Sequence, residues 1–254
     1  MKIWMSGGSG YIGKNLRKHL DKMDCDYFNY DLTMGYDILD GQQIYRSMKG
    51  CNAVVHLAGV PDVTYCERNI IEAIELHVFG TYNVVSVAES LRLPTVFAST
   101  IAAKTLHNVY GISKYLGELI VIKAGGVVLR FTNVYGGIPD EKHNRAVIER
   151  FVRFKKSGVS AEIFGDGSAS RDFIHVNDVC QAIIHGLGAA PGVYEIGTGR
   201  QTSIKEVADM IDVEYEMKTK RVGDITEIDY VPDNESLGWK PTIKLEDGIK
   251  EMLK

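Results

Sequence analysis

A tyrosine and a lysine stand one helical turn apart in Tyr110-Gly-Ile-Ser-Lys114. Residues i and i+4 share a helix face, so the phenol and the ammonium would be neighbours. A phenol with an ordinary pKa of about 10 is a poor base, and ionising it at neutral pH costs about 4 kcal/mol. A cation about 6 Å away returns on the order of 3 kcal/mol at an effective dielectric near 20. The pair therefore reads as a general base with its activator. Tyr110 would accept a hydroxyl proton; Lys114 would favour the phenolate and hold a ribose. Upstream, Val96-Phe-Ala-Ser99-Thr100 reads as a strand ending in two hydroxyls. Open parallel sheets bind ligands at that edge. Thr100 is the candidate for hydrogen-bonding the reacting substrate oxygen, with Ser99 second. Capping a helix or a loop is the alternative role for both hydroxyls.

These groups need a frame. The chain begins Lys2-Ile-Trp-Met-Ser-Gly7-Gly8-Ser-Gly10-Tyr-Ile-Gly13. That is a strand, a glycine-rich turn and a helix start, where backbone N–H groups can cradle a pyrophosphate. Gly7, Gly10, Tyr11, Ile12 and Gly13 are the candidate cofactor contacts there. Asp31 ends the second strand and is placed to accept from an adenosine ribose; it would repel a 2′-phosphate, which favours NAD over NADP. Strand-like runs at 53–57, 95–98 and 126–130 alternate with helical runs at 67–91 and 110–123. Alternation predicts a Rossmann-type doubly wound parallel sheet, class α/β, with helices on both faces. Past Tyr135 the pattern loosens, and Pro191-Gly192 reads as a boundary. The expected division is 1–134 with 165–190 as the NAD-binding domain, and 135–164 with 191–254 as a smaller mixed α/β substrate-binding domain.

The 254 residues carry a net charge of −4 with mixed signs, and no basic stretch suggests a nucleic-acid partner. No signal-peptide pattern stands at the start, and no apolar run reads as a membrane span. Cys25, Cys51, Cys66 and Cys180 lack pairing or metal-ligand spacing, so a reduced cytoplasmic setting and no metal are expected.

From these residues the chain resembles the extended short-chain dehydrogenase/reductases, in particular the NAD-dependent nucleotide-sugar epimerase/dehydratase group. The motifs run in order along nearly the whole length. They include Gly7–Gly13, Asp31, Tyr36-Asp37-Ile38, His56-Leu-Ala-Gly59, Ser99-Thr100, Tyr110/Lys114 and Leu129-Arg-Phe-Thr-Asn133. They continue through Arg171-Asp172, Tyr194-Glu-Ile-Gly-Thr-Gly199 and Arg221-Val-Gly-Asp224. The resemblance implies that Asp37 and Ile38 border the adenine and that Leu57, Ala58 and Gly59 line the cofactor groove. It implies that Asn133, Arg171 and Arg221 hold a substrate diphosphate, a role that suits the planar arginine forks. Asp172 and Asp178 read as structural.

The family's dehydratases carry an Asp-Glu pair after the serine/threonine. Here those places are Ile101-Ala102, which argues against dehydration. A UDP-hexose 4-epimerase needs only hydride transfer and one tyrosine, and is favoured. An NAD-dependent dehydrogenase or ketoreductase on a sugar nucleotide or small alcohol is the alternative, and a non-catalytic NAD-binding regulator is a third. The segment between Thr100 and Tyr110 is short for the family, and His77 stands where asparagine is usual. His77 is either a packed histidine or a partner in proton relay. By resemblance, helices 67–91 and 110 onward would pair across a two-fold axis in a homodimer.

Overall fold

Alternation in the first strand shows why both sheet faces are covered. In β1 (Lys2–Ser6), Ile3 and Met5 pack with Leu16 and Leu20, while Trp4 packs on the other side with Tyr30, Ile44 and Met48. A strand buried on both faces belongs to a parallel sheet between helix layers. The computed structural model describes residues 1–139, 146–219, 232 and 234–254.

The first half runs α1 (Tyr11–Lys22), β2 (Asp26–Tyr30), α2 (Gly41–Met48), β3 (Ala53–His56), α3 (Val63–Arg68), α4 (Ile70–Ile74), α5 (Thr81–Ser90), β4 (Thr95–Thr100), α6 (Ala102–Thr105), α7 (Val109–Lys123) and β5 (Val127–Phe131). Then follow β6 (Asn133–Tyr135), α8 (Val147–Ser157), β7 (Ala161–Phe164), β8 (Ser170–His175), α9 (Val176–Gly186), β9 (Gly192–Ile196), β10 (Gln201–Ser203), α10 (Ile204–Ile211), β11 (Tyr215–Lys218) and α11 (Leu245–Leu253). Six strands form a parallel sheet in the order β2-β1-β3-β4-β5-β9. α1 and α9 cover one face; α2, α5 and α7 cover the other. The smaller sheets β10-β8-β6 and β11-β7 accompany a separate core that includes Phe151, Ile163, Phe173, Val207 and Ile249.

The doubly wound sheet with a smaller mixed unit agrees with the sequence. Two assignments move. β9, placed with the smaller unit, pairs with β5 through Val128↔Val193 and Leu129↔Tyr194 and is the sixth strand of the large sheet. β8, placed with the first domain, pairs with β6 and β10. Pro191-Gly192 is a turn from α9 into β9, and a Pro-Gly pair marks a turn whether or not a domain ends there.

The expected helix 67–91 is also broken up. α4 passes into a π-helical turn, Glu75–Gly80, before α5. The wider turn resets the helical phase. Ala73, His77, Thr81, Val84 and Ala88 are buried, while Ile70 is 49% exposed. Taken as one span, Ile70–Ser90 is long and apolar enough to cross a membrane by length and composition, a property the sequence reading assigned to no run. Its buried face packs against the sheet and α7. All four cysteines are free.

Candidate active site

The sheet order reverses between β1 and β3, so a crevice opens beyond their carboxyl ends. Two loops meet there. Gly7 has φ +68°, and a Cβ on it would lie 2.7 Å from the Ala58 amide nitrogen. A Cβ on Gly13 would lie 2.5 Å from the Gly7 carbonyl oxygen, so α1 is seated directly on the glycine turn. A Cβ on Gly10 would meet only the Gly7 carbonyl, at 3.3 Å, which leaves that side open. α2, α3 and α7 are capped by Asp40, Asp62 and Asn108, whereas α1 has no side-chain cap and no acid in its first turn. An uncapped helix start beside a tight glycine turn, with no acid to repel an anion, fits a dinucleotide pyrophosphate.

Other cofactor candidates are more committed than their sequence positions suggest. Asp31 accepts from the Ser9 amide at 2.9 Å and from the Thr33 amide and hydroxyl at 3.0 and 2.7 Å. Burial pushes its pKa up, but the hydrogen bonds from Thr33 and Ser9 outweigh that and hold it below the ordinary value. A ribose hydroxyl would reach Asp31 by displacing the rotatable Thr33 hydroxyl. The amides of Leu57 and Ala58 donate to Ser6 Oγ, each at 3.2 Å, so these residues line the groove with their surfaces. The Tyr11 phenol donates to the Gly136 carbonyl at 2.6 Å. The Asp37 carboxylate accepts from the Leu39 amide at 2.9 Å. The Ile38 side chain is spent on the core against Gly80, so any adenine contact falls to its backbone.

Thr100 and Tyr110 meet at the carboxyl end of β4. Thr100 Oγ accepts from the Ala102 amide at 3.2 Å. Burial pushes Tyr110 up to about 12, against a hydrogen bond from Thr100 that draws it down. Lys114 is 5% exposed. Its ammonium donates to the Ala98 carbonyl at 2.6 Å and lies 3.9 Å from the centre of the Phe97 ring. Burial pushes Lys114 down to about 7, with Glu118 pulling it back up. Burial thus opposes the activation expected of Lys114 together with an oxidised nicotinamide. Desolvation of the phenol dominates, and the lysine head is engaged with Ala98.

Ser99, the second candidate hydroxyl, is already committed. Consecutive strand residues point to opposite faces, and Ser99 is buried against α7, donating to Glu118 Oε1 at 2.5 Å. Glu118 also grips the Arg130 guanidinium, which reaches Glu195, itself paired with Lys104. Ser99 thus belongs to a network joining β4, α7, β5 and β9. Asn133 donates to the Asp172 carbonyl at 3.2 Å, and Arg171 to the Ser170 carbonyl at 2.6 Å. β6 and β8 thereby bring these two candidates side by side. Arg221 lies outside the described residues. Asp172 fastens Thr198 and Gly199, and Asp178 fastens Thr242 and Ile243, as structural roles require.

Two neighbours of Tyr110 were missed in the sequence. Ser113 donates to the Tyr110 carbonyl at 3.1 Å. Cys66, buried on α3, lies close enough to raise the Tyr110 pKa when ionised. Ser113 could have been flagged as the residue one turn on from the tyrosine; Cys66 comes from a distant helix and left no local sign.

Fold and site together define a dinucleotide-binding oxidoreductase frame with a tyrosine–lysine pair. The chain belongs to the NAD dependent epimerase/dehydratase family, whose model matches residues 3–197, and NAD is its cofactor. A relative from Methanocaldococcus jannaschii, provisionally named UDP-glucose 4-epimerase, is 30% identical, covering 99% of this chain and 97% of its own. The crystal structure of a UDP-glucose 4-epimerase from Thermotoga maritima, with UDP-glucose, matches with TM-score 0.90 at 26% identity, covering 100% of this chain and 97% of that one. A dTDP-D-glucose 4,6-dehydratase from Homo sapiens also matches, at 24% identity over 99% of this chain and 89% of its own.

Proposed function

We propose that this chain is a nucleotide-sugar epimerase of the UDP-hexose 4-epimerase kind. The observation that carries the proposal is Thr100 hydrogen-bonding Tyr110 at the carboxyl end of β4, with Lys114 one turn along α7 and bound to Ala98 of the same strand, followed in sequence by Ile101 and Ala102. Neither of the latter can move a proton, which leaves dehydration without its acid and base. Bound NAD supplies the acceptor and donor of the C4 hydride. Tyr110 takes the C4 hydroxyl proton at its phenolic oxygen and gives it back after the ketone has turned over. Thr100 hydrogen-bonds the reacting oxygen, and Lys114 leaves Ala98 to hold the ribose and favour the phenolate. Asn133, Arg171 and Arg221 hold the UDP diphosphate.

The test is incubation with UDP-glucose or UDP-galactose and separation of the products. Interconversion of the pair without net NADH is expected. Net NADH would transfer the assignment to a dehydrogenase or ketoreductase, and retained NAD with no turnover of any sugar nucleotide to a regulatory NAD-binding protein.

A second copy of the chain is the proposed partner. Ile71, Phe79 and Tyr82 on the 70–90 helix and Ile112, Leu116 and Leu119 on α7 all stand exposed, Ile71 by 75%. Two such helix pairs brought together by a two-fold axis would bury both faces as a four-helix bundle. Sedimentation at micromolar protein should give a dimer, and Leu116→Glu a monomer. A monomeric parent would refute the bundle. Four free thiols suit a reduced, cytoplasmic setting.

A further inference from the structure

His77 sits in the π-helical turn Glu75–Gly80 and is 1% exposed. Its ring has partners on both nitrogens. The Val60 amide donates to Nε2 at 2.9 Å. A nitrogen that accepts carries no proton, so the ring proton is on Nδ1, where Ser113 Oγ lies at 2.8 Å. Ser113 spends its own hydroxyl proton on the Tyr110 carbonyl at 3.1 Å, so its oxygen is free to accept from Nδ1–H. One imidazole therefore joins two separate pieces of the site. Nε2 holds the end of the loop 57–60, which lines the cofactor groove. Nδ1 holds, through Ser113, the first turn of α7.

The surroundings keep the ring in that orientation. It stands edge-on to Tyr110, with ring centres 5.8 Å apart and planes at 71°. Gly59 presses against it so closely that a Cβ there would lie 3.0 Å from Nε2. Burial and the nearby Lys114 hold His77 down to about 3, so it is neutral under working conditions and Nε2 remains an acceptor. A second relay ends on the same residue. Ser6 donates to His56 Nδ1 at 2.6 Å, His56 Nε2 donates to Thr81 Oγ1 at 3.1 Å, and Thr81 donates to the His77 carbonyl at 2.7 Å. The polar groups of this buried chain are matched donor to acceptor, the condition under which such networks add rigidity.

We infer that His77 is a positioning residue whose two ring nitrogens do separable jobs: Nε2 sets the cofactor-lining loop, and Nδ1 sets the helical turn that carries Tyr110. The Nδ1 half rests on the proposed role of Tyr110 as the base; the Nε2 half does not.

Two substitutions separate the jobs. His77→Gln places an amide where Nε2 was and leaves Nδ1 unreplaced. His77→Asn places an amide where Nδ1 was and leaves Val60 unpaired. The measurements are the NAD dissociation constant, by calorimetric titration of NAD-free protein, the kcat at saturating NAD, and the melting temperature. His77→Gln should lose mainly kcat and His77→Asn mainly NAD affinity, each by about tenfold, the order expected of one neutral hydrogen bond. The reversed ranking in the two readouts is the signature. A histidine that merely fills space would make both readouts fall together, in step with the melting temperature, and that outcome overturns the proposal, as does no change in either. Should His77→Asn fail to fold, Ser113→Ala decides. It should repeat the kcat loss of His77→Gln and spare NAD affinity, and an equal loss in both overturns the Nδ1 assignment. Tyr110→Phe serves as the control on function: if it keeps turnover, the proposed base is wrong, while the NAD measurements still test Nε2.

Discussion

Tyr110→Phe is expected to lower turnover by about 10³-fold, within the 10²–10⁴ that a positioned acid–base group contributes, and to leave NAD bound. The ring is retained, so its edge contact with His77 survives and the packing of α7 is unchanged. What is lost is the oxygen that Thr100 hydrogen-bonds. That oxygen has a long way to travel. Burial holds the phenol up at about 12, so it is protonated at neutral pH. Binding must lower that pKa, and the cation of the oxidised cofactor together with Lys114 is the means available. The parent's kcat/KM should therefore rise with pH on its acid side, because the working form is the deprotonated one. The residual rate of the phenylalanine variant should be flat over the same range. Steady-state assays from about pH 6 to pH 10 on both proteins check this, and a variant within tenfold of the parent would remove Tyr110 from the chemistry.

How much of this was legible beforehand depends on the range of the interactions. The glycine turn, Asp31, the parallel strands and the Tyr110–Lys114 spacing are local patterns, and local patterns survive in a one-dimensional reading. Ser99 shows where that reading stopped. Its type and position suited a substrate contact, but strand alternation turns it toward Glu118, and the Glu118–Arg130–Glu195–Lys104 chain that claims it is drawn from four elements. β9 was misplaced for a similar reason. An edge strand is defined by its pairing with β5, and a Pro-Gly turn carries no record of which sheet the next strand joins. The π-turn around His77 widens the helix, which a constant helical period does not foresee. His77 itself stood out as an unusual residue. Its two partners, Val60 and Ser113, come from the β3 loop and α7 and could be named only in three dimensions.

Lys114→Met should cost about 10²-fold in turnover, the lower end of an acid–base contribution, and yet make the ligand-free protein more stable. The ordinary lysine pKa of 10.5 applies to the unfolded chain; in the fold, burial holds Lys114 at about 7. Between those values the unfolded state binds more protons than the folded one, so stability rises with pH through that window. Below about pH 7 the penalty of the buried ammonium is present in full, and near pH 10 it has been relieved. Methionine removes the charge and leaves the Ala98 carbonyl without its donor. An unsatisfied carbonyl costs about 1–3 kcal/mol, which offsets part of a charge penalty of several kcal/mol. A net gain on the order of 2 kcal/mol at neutral pH is expected, or about 4–8 °C in melting temperature for a chain of this size. Melting curves of NAD-free parent and variant should differ most near pH 7 and converge toward pH 10. A variant that melts lower than the parent at pH 7 and shows the same pH slope would mean that Lys114 is comfortable where it lies. On the proposed role, an ammonium held in a dry site by one carbonyl and one ring face is one that ribose hydroxyls and a developing phenolate would recruit readily.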